Sequence, residues 1–135
     1  MKVFVCIDDG GGTLFMGKRQ SRDRVLIDDV RATAGEGRLL IHPFSESLFA
    51  KEGGYLLSDD PLGEAENDDY CFIESLPLLP FAKKIDTLYV YKWNRRYPAT
   101  AFFDLAPLEN GFRPAETVDL VGSSHDKITK ETYVK

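Results

Sequence analysis

No stretch of this 135-residue sequence approaches the ~20 consecutive apolar positions that a membrane span requires. Its opening M-K-V-F-V-C-I-D-D also lacks the apolar core and small-residue cleavage site of a signal peptide, and together these predict a cytoplasmic protein. Cysteine is scarce. Cys6 and Cys71 are the only two, too few and too far apart for a disulfide framework or a zinc knuckle. Both are expected as buried, reduced thiols that pack as small hydrophobes. Histidine is equally sparse: His42 and His125 stand far apart, which excludes zinc hydrolysis by clustered histidines and predicts no metal site. Nor is there a surplus of positive charge, since 17 Lys and Arg face 22 Asp and Glu for a net charge of -5. That balance excludes a general nucleic-acid binder, which would carry a basic patch or stripe. The local cluster Lys92, Arg95, Arg96 sits among aromatics and reads as a solvated rim. Gly10-Gly11-Gly12 matches neither G-x-G-x-x-G nor G-x-x-x-x-G-K-[ST], and Asp8-Asp9 immediately before it would repel phosphate. Repeats, low-complexity stretches and linkers are also missing, so residues 1–135 read as one domain.

What is present is an alternation of strands and short helices. Val3 to Ile7 is a continuous apolar run, as in a strand buried on both faces. After the glycine segment, Ser21 is placed to cap a helix with Leu26, Ile27, Val30 and Ala34 at helical spacing, ended by Gly35. Arg38 to Ile41 reads as a strand. A helix opened by Pro43 follows, with Phe44, Leu48 and Phe49 on one face and Gly53-Gly54 closing it. Tyr55–Ser58 and Tyr70–Ile73 are further strands, separated by the acidic D-D-P-L-G-E-A-E-N-D-D, which reads as a solvated connection. The two prolines of S-L-P-L-L-P-F-A-K-K predict a short, broken helix. Asp86–Trp93 is the longest β-like run, with Leu88 and Val90 on one face and Tyr89, Tyr91 and Trp93 on the other. Ala99–Asp104, Phe112–Val121 and Lys127–Val134 continue as β, with Pro114 predicting an edge or a bulge. The fold class expected is α/β, a mixed sheet flanked by short helices and ending in antiparallel strands.

This order of elements resembles dihydrofolate reductase in a shortened form. The strand V-F-V-C-I-D-D, the loop G-G-G-T-L-F-M-G-K-R-Q and the helix S-R-D-R-V-L-I-D-D-V resemble that family's first strand, mobile active-site loop and following helix. Asp23 falls where the family carries its pterin-binding acid. Y-C-F-I-E-S-L-P-L-L-P-F-A-K-K-I-D-T-L-Y-V-Y and Y-P-A-T-A-F-F-D are similar to later parts of the same topology. Glu74-Ser75-Leu76 replaces the paired glycines that let the backbone approach the cofactor pyrophosphate. His42-Pro43-Phe44-Ser45 replaces a Gly-Arg-Thr-type phosphate site, although the helix start there would still attract an anion through its N–H groups. The resemblance therefore implies the fold without NADPH-dependent reduction. The chain is also similar to a group of short bacterial proteins, some labelled ribonuclease Z, through Q-S-R-D, Y-K-W-N-R-R-Y-P and G-S-S-H-D-K-I-T-K-E. The zinc-binding histidine cluster that label demands is missing.

Two functional classes follow. One is a protein-interaction or homodimerising module using the aromatic strand and its neighbours Tyr91, Trp93, Arg95 and Tyr97, residue types enriched at interfaces. The other is a protein that binds a small molecule, pterin-like or nucleotide-like, or a reductase-like enzyme, with a pocket under residues 8–23 lined by Asp8, Phe15, Gln20 and Asp23. In that reading Asp23 is the polar anchor and the candidate proton source. A solvent-protected Asp23 lining a pocket favours the second class, and an apolar patch including Trp93 favours the first. Gly10–Gly12 serves either as a tight turn that lays Leu14, Phe15 and Met16 on the body or as a pocket lid. Ser123, His125 and Asp126 lie nearly side by side, and adjacency argues against a catalytic triad. The serines and Asp126 read as turn residues, with His125 able to reach a pocket from the turn.

Overall fold

A computed structural model describes all 135 residues. Strand β1 (Lys2–Ile7) lies near the middle of a seven-stranded sheet. Its parallel neighbours are β6 (Tyr70–Ile73) and β7 (Thr87–Lys92). Beyond β6 come β4 (Leu39–Ile41) and β5 (Leu56–Leu57), both parallel. Beyond β7 the sheet turns antiparallel with β10 (Ile128–Val134) and the edge strand β9 (Arg113–Leu120). A sheet parallel in front and antiparallel at its end is the expected class. The register of β10 against β9 shifts between Thr132 and Tyr133, opposite Pro114, because proline supplies no N–H to the ladder.

Strand alternation sends β1 side chains into two cores. Val3 and Val5 join Ile73, Leu88 and Val90 on one face, while Phe4 joins Phe72, Tyr91 and Trp93 on the other. Helix α1 (Arg24–Ala34) covers the second face through Leu26, Val30 and Ala34, all buried. Gly35 ends it at φ 56°, a conformation that suits glycine. Each fully buried Leu or Phe contributes roughly 1.5–3 kcal/mol over its exposed state. Tyr91 is fully buried with its hydroxyl donating to Asp29 Oδ2 at 2.6 Å, and Trp93 is likewise buried. Neither is available as a surface contact, so their assignment to an interface is corrected: both faces of β7 are core.

Three further elements differ from expectation. The glycine segment is not a plain loop but a hairpin of β2 (Gly12–Phe15) and β3 (Lys18–Arg19), with β2 also paired to β8 (Ala101–Phe102) in a second, small sheet. Its turn places Met16 at φ 50° and Gly17 at φ 75°, so only Leu14 returns to the body while Phe15 and Met16 are exposed. The acidic connection contains α3 (Pro61–Glu64), capped by Asp60 and buried through Leu62. Pro43 opens a 3-10 turn that leads into α2 (Glu46–Phe49). No helix is long and apolar enough to cross a membrane.

Candidate functional site

The residue that caps α1 is Asp23 rather than Ser21. Its backbone is extended (φ -153°, ψ 126°), and Oδ1 accepts the N–H of Val25 at 2.9 Å and of Leu26 at 3.4 Å. The turn between β9 and β10 then closes over the same carboxylate. Oδ1 accepts from the Ser123 N–H at 3.0 Å and the Ser123 hydroxyl at 3.1 Å, and Oδ2 from the Ser124 N–H at 2.7 Å. His125 Nδ1 lies 3.0 Å from Oδ2. Burial alone would raise the Asp23 pKa, but His125 and the serine donors outweigh it and hold the carboxyl well below the usual range. The Asp23 carboxylate takes the Nδ1 proton, so that whenever the ring carries a single proton Nε2 is the nitrogen with the free lone pair. Gly122 makes the close approach possible, since a Cβ there would lie 2.5 Å from Asp23 Oδ2 and 2.7 Å from the His125 carbonyl oxygen.

On the other side of the ring, Nε2 lies 3.0 Å from Ser21 Oγ and 3.0 Å from the Tyr97 hydroxyl. The imidazole also stacks on Trp93, with ring centroids 4.6 Å apart. Four residues, from two other parts of the chain, thus meet at one histidine. Ser21 and Asp23 come from the end of the hairpin, Trp93 and Tyr97 from the end of β7 and the loop after it, and His125 from the C-terminal turn. The ring nitrogens of His125 bond neither to the adjacent serines nor to Asp126; Ser21 and Asp23 lie 104 and 102 residues away along the chain and Tyr97 28.

A small inner cavity of about 20 Å³ lies beside this knot, lined by Cys6, Gln20, Ser21, Asp23, Phe72 and Trp93 among others. That is room for about one water. One end is closed by a bidentate ion pair, Arg19 Nε to Glu74 Oε1 at 2.7 Å and Arg19 Nη2 to Glu74 Oε2 at 2.7 Å. Ser45 Oγ donates to the same Glu74 at 2.6 Å and Arg19 to the Phe44 carbonyl at 3.1 Å, which ties the hairpin to the end of β6 and the start of α2. Burial, then the Glu74 charge, pushes the Cys6 thiol well above its ordinary pKa. Two larger grooves share walls with the cavity. One of about 380 Å³ runs between α1 and α2 past Arg22, Arg24, Arg31 and Lys51, with the carboxylates of Asp28 and Glu52 also on its wall. The other, about 460 Å³, opens beside β3 against Lys18, Arg22 and Phe44, with Ser21 on its wall. The side chains of Lys18, Arg22, Arg24 and Lys51 make no hydrogen bond or ion pair within the chain.

The sequence-proposed pocket residues are therefore only partly assembled. Asp23 and Gln20 line the inner cavity; Gln20 Nε2 donates to the Pro98 carbonyl at 3.3 Å, and its Oε1 is buried without a partner. Asp8 lies elsewhere, receiving the N–H groups of Gly10, Gly12 and Tyr97 at 3.0, 2.7 and 2.9 Å. Burial would raise its pKa, but these three donors and Arg96 lower it. Its carboxylate holds the turn before β2 and lines none of these cavities. Phe15 is exposed and lines none of these cavities. Tyr97, read as an interface residue, belongs to the histidine knot; Arg95 is exposed, and its carbonyl accepts the Asp9 N–H at 2.9 Å. Ser21, expected as the cap, instead turns its hydroxyl to His125 Nε2. Aspartate and serine cap helices about equally well, so the residue type alone did not separate Asp23 from Ser21.

The strand order, the cap-bearing helix behind the first hairpin and the crossing of parallel into antiparallel strands define a dihydrofolate-reductase-like fold. Among solved structures, the chain is similar to dihydrofolate reductase from Enterococcus faecalis complexed with NADP(H) and RAB-propyl. The TM-score is 0.67 over 98% of this chain and 94% of that one, at 12% identity. No protein-family model matches the sequence, and neither does any curated protein.

Proposed function

We propose that this chain is a small-molecule-binding protein on a dihydrofolate-reductase-like fold, with its site in the cleft under the hairpin and α1, and that its ligand is anionic. The observation that carries this reading is the gathering of Lys18, Arg22, Arg24 and Lys51, none of them paired, around two grooves of a protein whose net charge is -5. Unpaired cations beside low-dielectric walls raise the local concentration of anions. The burial of Tyr91 and Trp93 takes away the aromatic surface on which an interaction module would rest.

Reduction of a pterin with NADPH finds little support in the same residues. All of the acceptor capacity of Asp23 is directed at groups of the chain itself, which leaves none for a ring edge. Glu74, standing where the resemblance would place the first of two glycines, is locked to Arg19. The N–H groups at two turn starts that would greet a phosphate are already occupied. The Asp104 carboxylate takes those of Leu78 and Leu79 at 2.9 and 3.2 Å, and His42 Nδ1 takes that of Phe44 at 3.0 Å. The residues present do not fit the cofactor.

The test is thermal melting against NADPH, NADP, folates, pterins, purines and simple dicarboxylates and phosphates. A site occupied at ~100 times its dissociation constant adds roughly 2.7 kcal/mol, a clear rise in Tm. The expected result is a shift with small anions that is lost in the double variant Arg22→Ala/Lys51→Ala. A shift confined to NADPH or a pterin would overturn the reading in favour of a reductase, and no shift with any anion would overturn it outright.

A further inference from the structure

Ser21, His125 and Asp23 stand in the geometric relation of nucleophile, base and orienting acid, and we propose that Ser21 is a nucleophile that cleaves small anionic esters. The proposal rests on the anion-binding reading above and adds a reaction to it. Asp23 Oδ2 to His125 Nδ1 is 3.0 Å and His125 Nε2 to Ser21 Oγ is 3.0 Å, both within the reach that a nucleophile–base–acid chain demands. Convergence in space from residues 21, 23 and 125 is what adjacency in sequence cannot supply. The orienting acid is held by donors from Val25, Leu26, Ser123 and Ser124, so it cannot swing away. The ring is fixed against Trp93. The tautomer that Asp23 imposes presents a lone pair, not a proton, to Ser21.

Access and substrate class follow from the surroundings. Ser21 is half-buried on the wall of the groove beside β3, which offers Lys18 and Arg22 as charge partners and Phe44 as an apolar wall. The N–H of Arg22, the residue after the serine, donates to no group of the chain and is available to an oxyanion, as in sites where the amide after the nucleophile plays that part. An ester whose acyl part carries a carboxylate or phosphate matches these groups. In the reaction, Ser21 Oγ attacks the ester carbon as its proton passes to His125 Nε2. The bond to the leaving alcohol breaks, and the alcohol oxygen takes that proton. Water then attacks the acyl-serine, His125 accepts the water proton, and Ser21 regains a proton as the carboxylic acid departs.

Tyr97 gives the proposal a second handle. Its hydroxyl reaches the same Nε2 at 3.0 Å, and one lone pair accepts one strong hydrogen bond at a time, so Tyr97 competes with Ser21 for the base. Tyr97→Phe removes the competitor without touching Ser21 or Asp23.

The experiment treats the full chain and its variants with a fluorophosphonate probe, followed by intact mass and peptide mapping. In parallel, hydrolysis of p-nitrophenyl acetate is compared with that of p-nitrophenyl hemisuccinate, and Tm is read with and without succinate. The expected result is a single adduct on Ser21, absent in Ser21→Ala, that forms several-fold faster in Tyr97→Phe. The hemisuccinate should be cleaved at least tenfold faster than the acetate, with that preference lost in Arg22→Ala. Labelling that persists in Ser21→Ala, or no labelling in either the native chain or Tyr97→Phe, overturns the nucleophile. If succinate still raises Tm in that case, anion binding stands without the chemistry. Adduct formation with no preference for the anionic ester and no succinate shift would keep the nucleophile and remove the anion-binding reading.

Discussion

Replacing Asp23 by asparagine removes a charge while keeping the shape of the cap, and the structure says which partners suffer. The asparagine oxygen in the place of Oδ1 still accepts from Val25, Leu26 and Ser123. The amide NH₂ in the place of Oδ2 faces the Ser124 N–H, a donor against a donor where 2.7 Å now separates donor and acceptor. It also meets His125 Nδ1, which must give up its proton to accept from the amide. One part-buried N–H loses its acceptor and one charge-assisted bond becomes neutral, for a loss of about 3 kcal/mol. With an unfolding entropy of roughly 2.1 cal/mol/K per residue, that is a fall of about 10 °C in Tm at pH 7.

The pH dependence gives a second, sharper reading. The Asp23 pKa is depressed in the folded chain, so its stabilisation is complete above the unfolded-state value near ~3.9. It is lost as pH falls through the folded value. Asp8 and Asp69 are also depressed, but they act equally in the native chain and the variant and cancel in the difference. The gap in Tm between the two proteins should therefore narrow steadily below about pH 4. Melting followed by circular dichroism from pH 7 to pH 3 measures it. A gap under about 2 °C at pH 7, or a gap that stays constant down to pH 3, would refute the account of Asp23 as a charged, multiply bonded cap.

Three other expectations are as direct. Arg19→Ala leaves Glu74 half-buried with only Ser45 as partner and should cost about 3 kcal/mol; a double-mutant cycle with Glu74→Ala in urea should return a coupling above about 1 kcal/mol. Gly122→Ala should destabilise the chain and loosen the Gly122–His125 turn, seen as faster amide exchange at Ser123 and Ser124; unchanged exchange would mean the turn has room the geometry denies. Burial pushes the Cys71 thiol up to about 12 and the Cys6 thiol well above its ordinary range, so iodoacetamide at pH 8 should modify neither in the native protein and both in urea.

The parts of this fold that depend on local chemistry were legible in the chain itself. Val3–Ile7 announces a two-sided strand because each of its residues meets apolar neighbours on one face or the other. Tyr70–Ile73 has the strand bounds foreseen, and Pro114 marks the edge because a missing N–H is a property of one residue. Helix α3 was hidden because four residues show no periodicity, and Leu62 and Ala65 are its only apolar signals in an acidic stretch. The hairpin turn was hidden because Met16 adopts a positive φ that its side chain does not advertise. In the site, Asp23 stood out by its charge and position. The identity of its partners depended on a turn a hundred residues away, which no local pattern encodes. That separation also turned an expected ligand anchor into an internal cap, and two expected interface aromatics into core.

The distance along the chain between Asp23 and the turn that binds it, 100 residues to Ser123, sets an order of events during synthesis. At ~5–20 residues per second, the ribosome needs about 5–20 s to travel from one to the other. During that interval α1 has its own two N–H groups on Asp23 but no Ser123, Ser124 or His125, and β7 has no antiparallel neighbour. The parallel strands can collapse while the cleft stays unfinished. A nascent or truncated chain that stops before Gly122 would therefore hold much of the sheet yet have no imidazole beside Ser21, and the cleft is completed only once the turn from Gly122 to His125 has been added.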